Sequence, residues 1–327
     1  MNAVRLLSAV KEDSRLRALN ALRDLPAVAD LIELCFAPTM DNDGQRYINE
    51  MRRAGQDDGF LRWAKYVAET ASLPLMGFVW EEDNRIVGNA SLVQFRDQGK
   101  RVYLIANIAT HPDYRHRGIA RALTERSIRA AHDKSVSALW LHVRNDNPDA
   151  IDLYTDLGFK EFTRRTSWAA SSSTPQTLSP HALQVMPRHP RFWSQQQRWL
   201  RRLYPDSLVW YSQWNVNALR PGPWAWLSNL FADLDVQQWA ATRNGTLRAA
   251  LSAVSNGGRA PTLYPAADAT IAGAAEALTQ LLVHARRCFI NHPALTLDFP
   301  ANEMTDAIMA AGFIPRRTLI WMQHSLS

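Results

Sequence analysis

Residues 108–123 read IATHPDYRHRGIARAL and join an apolar, β-rich run to an apolar helical one. Pro112 ends the strand, because it cannot donate to a ladder. Arg115, Gly118 and Ala120 then stand at the spacing R-x-x-G-x-A as the helix begins. A helix start has unpaired N–H groups and the positive end of its dipole, so it binds anions through backbone alone. Gly118 and Ala120 leave room for a phosphate to reach those groups. Arg115, Arg117 and Arg121 add fixed positive charge around the same spot, which suits a ligand with several phosphates.

Upstream, Val28, Leu31, Ile32, Cys35 and Phe36 fall at helical spacing, so 25–36 is expected to be a helix with Asp24 as its N-cap. The runs 76–80 and 86–95, split by Glu81-Glu82-Asp83-Asn84-Arg85, predict a hairpin, and 102–109 completes a meander. Downstream, 119–131 is helical, 138–143 (ALWLHV) a strand, 149–157 a helix and 159–168 a final strand. The stretch 147–159, NPDAIDLYTDLGF, sets Pro148 in a first helical turn and Gly158 as its stop, directly before the strand.

The pairing of HP-x-x-R-x-x-G-x-A with N-x-x-A-x-x-L-Y-x-x-x-G-F, in this order and on these elements, resembles the GNAT-type acyl-CoA N-acyltransferase superfamily across about 150 residues. The resemblance implies an acetyl-CoA site between two splayed parallel strands, 102–109 and 138–143. Backbone groups of Ile108, Ala109 and Thr110 would pair with the pantetheine arm. Amides of Arg115, His116, Arg117, Gly118, Ile119 and Ala120 would hold the pyrophosphate, with Arg121 adding charge. Asn147 and Tyr154 match family positions that face the thiol, Tyr154 as the acid for the leaving thiolate. Asn147 also reads as an ordinary helix N-cap, and Tyr154 as a packing residue with a wet hydroxyl. No metal is implied.

The implied reaction is attack of a neutral amine on a thioester, and it needs a base. A lysine-like amine of pKa about 10.4 is neutral in only about one part in two thousand at pH 7. Glu81, Glu82, Asp97 and His111 flank the expected strands and are the candidates. Asn107 cannot act as a base, though it can hold a water. Residues 39–58 would roof the acceptor site. They mix Asp41, Asp43, Glu50, Asp57 and Asp58 with Arg46, Arg52 and Arg53, which reads equally as an attraction for cationic amines and as a solvated helix.

The second half repeats the first. Residues 273–286 (GAAEALTQLLVHAR) align without gaps on 118–131 (GIARALTERSIRAA), and 294–299 (ALTLDF) on 138–143. Gly312-Phe313 matches Gly158-Phe159. Its chemistry has gone: Ala269, Thr270, Ile271 and Ala272 precede Gly273 where arginines stood, and Ile308 replaces Tyr154. The expected fold is therefore α/β (α+β), with two tandem GNAT-like domains. Each would have a mixed, mostly antiparallel sheet flanked by helices, with splayed parallel central strands. The domains are a catalytic copy at 1–168, a Ser/Thr/Pro-rich linker at 169–190 and a degenerate copy at 191–327. Mycothiol synthases are similar in length and doubling, but their active copy is the second.

The remaining features bound the alternatives. At 327 residues, 46% apolar and 21% charged, the chain is neither disordered nor a disulfide scaffold. Two cysteines, Cys35 and Cys288, lie apart in apolar helical runs and read as reduced, core-packed thiols. No run reaches the ~20 apolar residues of a membrane span. A cytoplasmic protein without membrane contact is expected. The net charge of +6 divides into +1 through Ala170 and +5 after it, where every basic residue is Arg. Eight of the twelve tryptophans are in that half, too many for one small core, so some belong at an interface or an acceptor cleft. Three readings follow. The first is an acetyl-CoA-dependent N-acetyltransferase acting on a small-molecule or peptide amine. The second is a noncatalytic acyl-CoA sensor or interaction module. The third and least favoured is nucleic-acid binding by the Arg-rich second half, for which Arg198, Arg201 and Arg202 are the nearest thing to a basic stripe.

Overall fold

Leu25, Val28, Ala29 and Ile32 recur at helical intervals and bury one face of α1 (Ala21–Phe36). The helix starts one turn earlier than its apolar pattern. Asn20 is the cap, its Oδ1 accepting the Leu22 N–H at 3.2 Å. Asp24, expected in that role, lies buried in the first turn, where it accepts from the Asn20 N–H at 2.8 Å and pairs with Arg17 at 2.6 Å. A second helix, α2 (Asn42–Ala54), was legible only as a charged stretch. It turns Ile48, Met51 and Ala54 onto α1 and ties Arg52 to Asp30 at 2.7 Å.

The computed structural model describes residues 13–40, 42–55, 75–171, 183–212, 216–256, 261–291 and 295–326. The chain forms two units. The first is 1–143, 147–160 and 322–327, and the second is 144–146 and 161–321. These bounds run elsewhere than the Ser/Thr/Pro segment 169–190, of which 172–182 lie outside the described residues, while 169–170 end one strand and Gln184–Pro187 form another.

In the first unit the sheet order is β1 (Leu16–Ala18), β2 (Met76–Glu82), β3 (Arg85–Asp97), β4 (Lys100–Thr110) and β5 (Ala138–Arg144). The meander is held by two-residue turns. Asp83-Asn84 and Gln98-Gly99 all have positive φ, the geometry that matches strand twist in tight hairpins. From β4 the chain passes through α3 (Ile119–Asp133) to β5, which is parallel to β4, then to α4 (Pro148–Asp156).

The strand after α4, β6 (Phe159–Ala170), belongs to the second unit from Glu161 onward. It pairs antiparallel with β11 (Thr296–Pro300), from Ala169↔Thr296 to Arg165↔Pro300. The second unit then runs β7 (Gln184–Pro187), α5 (Trp193–Leu203), α6 (Pro223–Phe231), β8 (Leu234–Arg243), β9 (Thr246–Asn256), β10 (Thr262–Ala267), α7 (Ala274–Cys288), β11, α8 (Thr305–Ala310) and β12 (Phe313–His324), the last of which belongs to it as far as Trp321. Its strand order is β12-β6-β11-β10-β9-β8-β7. The repeat is structural as well as sequential: β10 and β11 are parallel, and α7 follows β10 as α3 follows β4. Leu278, Leu281, Leu282, Phe299 and Phe313 fill the core beneath α7.

Of the tryptophans in the second half, Trp199, Trp210, Trp239 and Trp321 are buried, whereas Trp224 on α6 is 82% exposed. Trp214 lies outside the described residues. Both thiols are free, but Cys35 is only half-buried and Cys288 is exposed, so neither is core-packed as expected. Among the described residues no helix is long and apolar enough to cross a membrane.

Candidate functional site

β4 and β5 pair at four rungs only, Val102↔Ala138 to Ile105↔Leu141, and then part. On its other edge β4 pairs with β3 as Ser91↔Ala106 and, past a bulge, as Asn89↔Ala109. Asn107 carries the bulge in left-handed backbone, at φ 53°, which an asparagine tolerates better than most residues. Its side-chain amide donates to the Tyr47 hydroxyl at 3.0 Å, and its carbonyl accepts from Asn89 Nδ2 at 2.8 Å. Asn89 is fully buried and its Oδ1 has no partner. The bulge is thereby clamped. From Ala106 to Thr110 the β5-facing edge of β4 has no ladder partner, which gives a ready edge for another extended chain. Ile108, Ala109 and Thr110 lie on that edge. The Thr110 carbonyl accepts from the Cys35 thiol at 3.3 Å, and burial raises the thiol's pKa against the opposing charge of Arg115.

At the end of β4, Pro112–Tyr114 form a single tight turn whose cap is His111, with Nδ1 accepting the Asp113 N–H at 3.3 Å. His116 and Gly118 follow in left-handed backbone at φ 60° and 78°. Gly118 is the N-cap of α3, and a Cβ there would meet nothing within 4 Å. The first helical bond is Ala122 N–H to the Gly118 carbonyl at 3.0 Å, and the amides of 116–121 have no backbone acceptor. Arg115, His116, Arg117 and Gly118 are exposed at this mouth, Ile119 is buried beneath it and Ala120 is half-buried. A row of free amides over an open glycine fits a pyrophosphate. The arginines are less available than their spacing suggests. Arg117 reaches the Asp113 carbonyl at 3.2 Å and lies 3.7 Å from Glu82, and Arg121 pairs with Asp156 at 3.0 Å.

Asn147 caps α4, its Oδ1 accepting the Ala150 N–H at 3.3 Å, so its side chain does what capping preference dictates. Tyr154 is buried against Phe159, with ring centroids 6.2 Å apart. Burial pushes its phenol well above the ordinary tyrosine value, so it is a neutral donor at physiological pH.

None of the four bases suggested by the sequence stands at the splay. Glu81 is held by Arg17 at 2.5 Å and Arg23 at 2.8 Å, and Glu82 by Arg15 at 3.3 Å. Asp97 is in the far hairpin, and His111 is the turn cap. His142, part of no motif, lies half-buried one residue beyond the last β4–β5 rung. Its signal was strand alternation: in ALWLHV, Leu139, Leu141 and Val143 point one way, and His142 points the other with Trp140.

The second unit has a counterpart of the glycine but not of the opening. Gly273 has φ 79° and caps α7, yet the Arg243 guanidinium lies 3.5 Å from where its Cβ would be. Arg243 pairs at 2.9 Å with Glu276, the residue aligned with Arg121. The corner that matches the one at Gly118 is occupied here by a half-buried ion pair.

Comparison with known proteins agrees with this geometry. Residues 41–159 match the model of the Acetyltransferase (GNAT) family. The chain is 47% identical to the [ribosomal protein bS18]-alanine N-acetyltransferase of Escherichia coli over 62 residues, 19% of this chain and 42% of that one. It is 26% identical over 125 residues to a mycothiol acetyltransferase of Saccharomonospora viridis, 38% of this chain and 39% of that one. The chain thus spans less than half the length of these relatives. A GCN5-related N-acetyltransferase structure from Sphaerobacter thermophilus shares the fold over 96% of both chains, at a TM-score of 0.57 and 15% identity. Residues 41–159 are thus the part of the chain that is similar to the Acetyltransferase (GNAT) family.

Proposed function

We propose that the first half of the chain, 1–168, transfers an acetyl group from acetyl-CoA to a primary amine by direct attack in a ternary complex. The second half, 191–327, does no chemistry in this reading. The observation that carries it is the open row of unpaired amides at Gly118, placed at the end of a strand whose free edge continues to Ala106. The residues divide the work. Amides of 116–120 hold the pyrophosphate, the Arg115 N–H being taken by the Pro112 carbonyl at 3.3 Å, and the Arg115 side chain helps with what charge Arg117 and Arg121 have left. Ile108, Ala109 and Thr110 take the pantetheine arm as an added strand. Tyr154 lends a proton toward the departing thiolate. A neutral phenol of raised pKa is a weak acid, and a thiolate of pKa about 8.5 leaves readily, so Tyr154 assists rather than being indispensable. The relatives' names speak of protein and small-molecule amines, and both classes remain in scope here.

The test is acetyl-CoA-dependent thiol release across a panel of amines. Amine-dependent release is expected. Saturable acetyl-CoA binding with no amine-dependent release would instead favour an acyl-CoA sensor built on the same scaffold. For the second half, the closed Arg243–Glu276 corner supports a packing or substrate-shaping role.

A further inference from the structure

We infer that His324 is a positioning residue for the transfer: packed behind Phe159 and against the stop of α4, it fixes the Tyr154 ring in the pose from which the hydroxyl meets the departing thiolate. This rests on the acetyl-transfer reading above, with Tyr154 as the acid.

α4 does little to hold that ring by itself. The helix has nine residues, and Tyr154 is the one it buries. A side chain on so lightly packed a helix is fixed by what stands against it. Here that is Phe159, 1% exposed, whose ring lies edge-on to Tyr154 with centroids 6.2 Å apart. Phe159 is met in turn by His324, also edge-on, at 5.2 Å. Both interplanar angles are 66°, within the edge-to-face family that aromatic rings prefer. The three rings form a column from phenol to imidazole.

The same imidazole also grips the backbone. Gly158 turns the chain out of α4 into β6 at φ 89°, and a Cβ there would stand 3.3 Å from His324 Nε2. The glycine therefore serves twice, in left-handed backbone and in leaving room for a ring. One side chain thus touches both the end of the helix that carries Tyr154 and the phenylalanine that Tyr154 packs on. Burial lowers the imidazole's pKa, against backbone hydrogen bonds at Ser325 and Leu157 that raise it. The ring is neutral at physiological pH and brings no charge beside the phenol.

His324 comes from β12, which belongs to the second unit as far as Trp321, whereas 322–327 belong to the first. The strand that delivers it begins in the half that does no chemistry. In the second copy Gly312, at φ 79°, and Phe313 repeat Gly158 and Phe159. There the bare face of the glycine is filled by the guanidinium of Arg286, from α7, which donates to the Ala311 carbonyl at 2.8 Å. Ile308 stands in place of Tyr154 in that copy. The neutral ring and the phenol occur together and are missing together.

The test is a double-mutant cycle on kcat for acetyl-CoA-dependent thiol release at saturating amine, with melting temperature and acetyl-CoA affinity measured for each variant. About 1 Å of misplacement at a reacting group costs up to about 100-fold, and the loss is capped by what the acid contributes, about 10–100-fold. His324→Ala should therefore lower kcat by about 5–50-fold, with acetyl-CoA affinity changed by less than about twofold. Made in the Tyr154→Phe background, the same substitution should change kcat by less than about twofold, because the group it positions is gone. His324→Phe keeps a ring in the column and should stay within about threefold of wild type. Wild-type kcat in His324→Ala overturns the inference, and so does an equal loss in both backgrounds, which a merely structural role produces. A loss in His324→Phe as large as in His324→Ala overturns it too. Each of these leaves acetyl transfer intact. Wild-type protein that releases no thiol with any amine overturns the reading beneath, and this inference with it.

Discussion

Gly118 and Gly273 offer a matched pair on which the unequal fates of the two copies can be measured. They have nearly the same backbone, φ 78° and 79°, each caps the N-terminus of a 15-residue helix, and neither has a protein atom within 3.4 Å of a prospective Cβ. Valine at either site meets the left-handed penalty of about 1–2 kcal/mol, with no clash to add. At about 2–4 °C per kcal/mol for domains of this size, both variants should melt roughly 2–8 °C below wild type. Their effects on acetyl-CoA should differ sharply. Valine at 118 projects over the free amides of 116–121, and denying a pyrophosphate two charge-assisted bonds of about 1.5–3 kcal/mol each weakens binding by about 10²–10⁴-fold. Valine at 273 adds a side chain to a corner already filled by Arg243 and should leave affinity within twofold. Calorimetric titration and thermal melts of both variants decide it. Equal losses of affinity in the two, or wild-type affinity in Gly118→Val, would refute the reasoning.

Two further outcomes follow from the first unit. Tyr154→Phe should lower kcat by about 10–100-fold with acetyl-CoA affinity unchanged, and unchanged kcat at saturation would remove Tyr154 from the chemistry. Because burial raises the phenol's pKa, the folded state holds that proton more tightly. Its contribution to stability is complete below about pH 10 and lost above it, so the Phe variant should show a flatter decline between pH 10 and 11 in denaturant titrations. Arg17→Ala leaves the Asp24 carboxylate, 1% exposed, without its main partner and should cost about 3–5 kcal/mol by urea unfolding. Burial alone would raise the Asp24 pKa, but Arg17 and the Asn20 amide prevail and lower it. The pair's contribution is thus present above about pH 4 and lost as pH falls. Arg17→Ala should therefore lose less stability than wild type on acidification.

Much of this was legible in local sequence. The meander, its two turns, the cradle before α3 and the Gly158 stop all follow from patterns a few residues long, and each expected element formed within a few residues of its reading. Three things were not legible. Asn20 capped α1 in place of Asp24, because both are good caps and only the tertiary position of Arg17 draws Asp24 inward. The partner of β6 could not be read, because ALWLHV and ALTLDF offer the same alternating apolar edge and local pattern does not choose between copies; pairing with β11 is a tertiary outcome. The candidate bases Glu81, Glu82, Asp97 and His111 flank the strands, and none stands where β4 and β5 part, because that point depends on the register of the two strands and on no local motif. The arginines at 117 and 121 were read as free charge, and the structure spends part of that charge on Glu82 and Asp156.

The central claim is that one chain holds one working acetyl-CoA site, at Gly118, with its repeat closed by Arg243 and Glu276. Calorimetric titration of the full chain with acetyl-CoA measures this directly. The account predicts one equivalent bound per chain, abolished by Gly118→Val and unaffected by Gly273→Val. Two equivalents, none, or a single equivalent that survives Gly118→Val would contradict it.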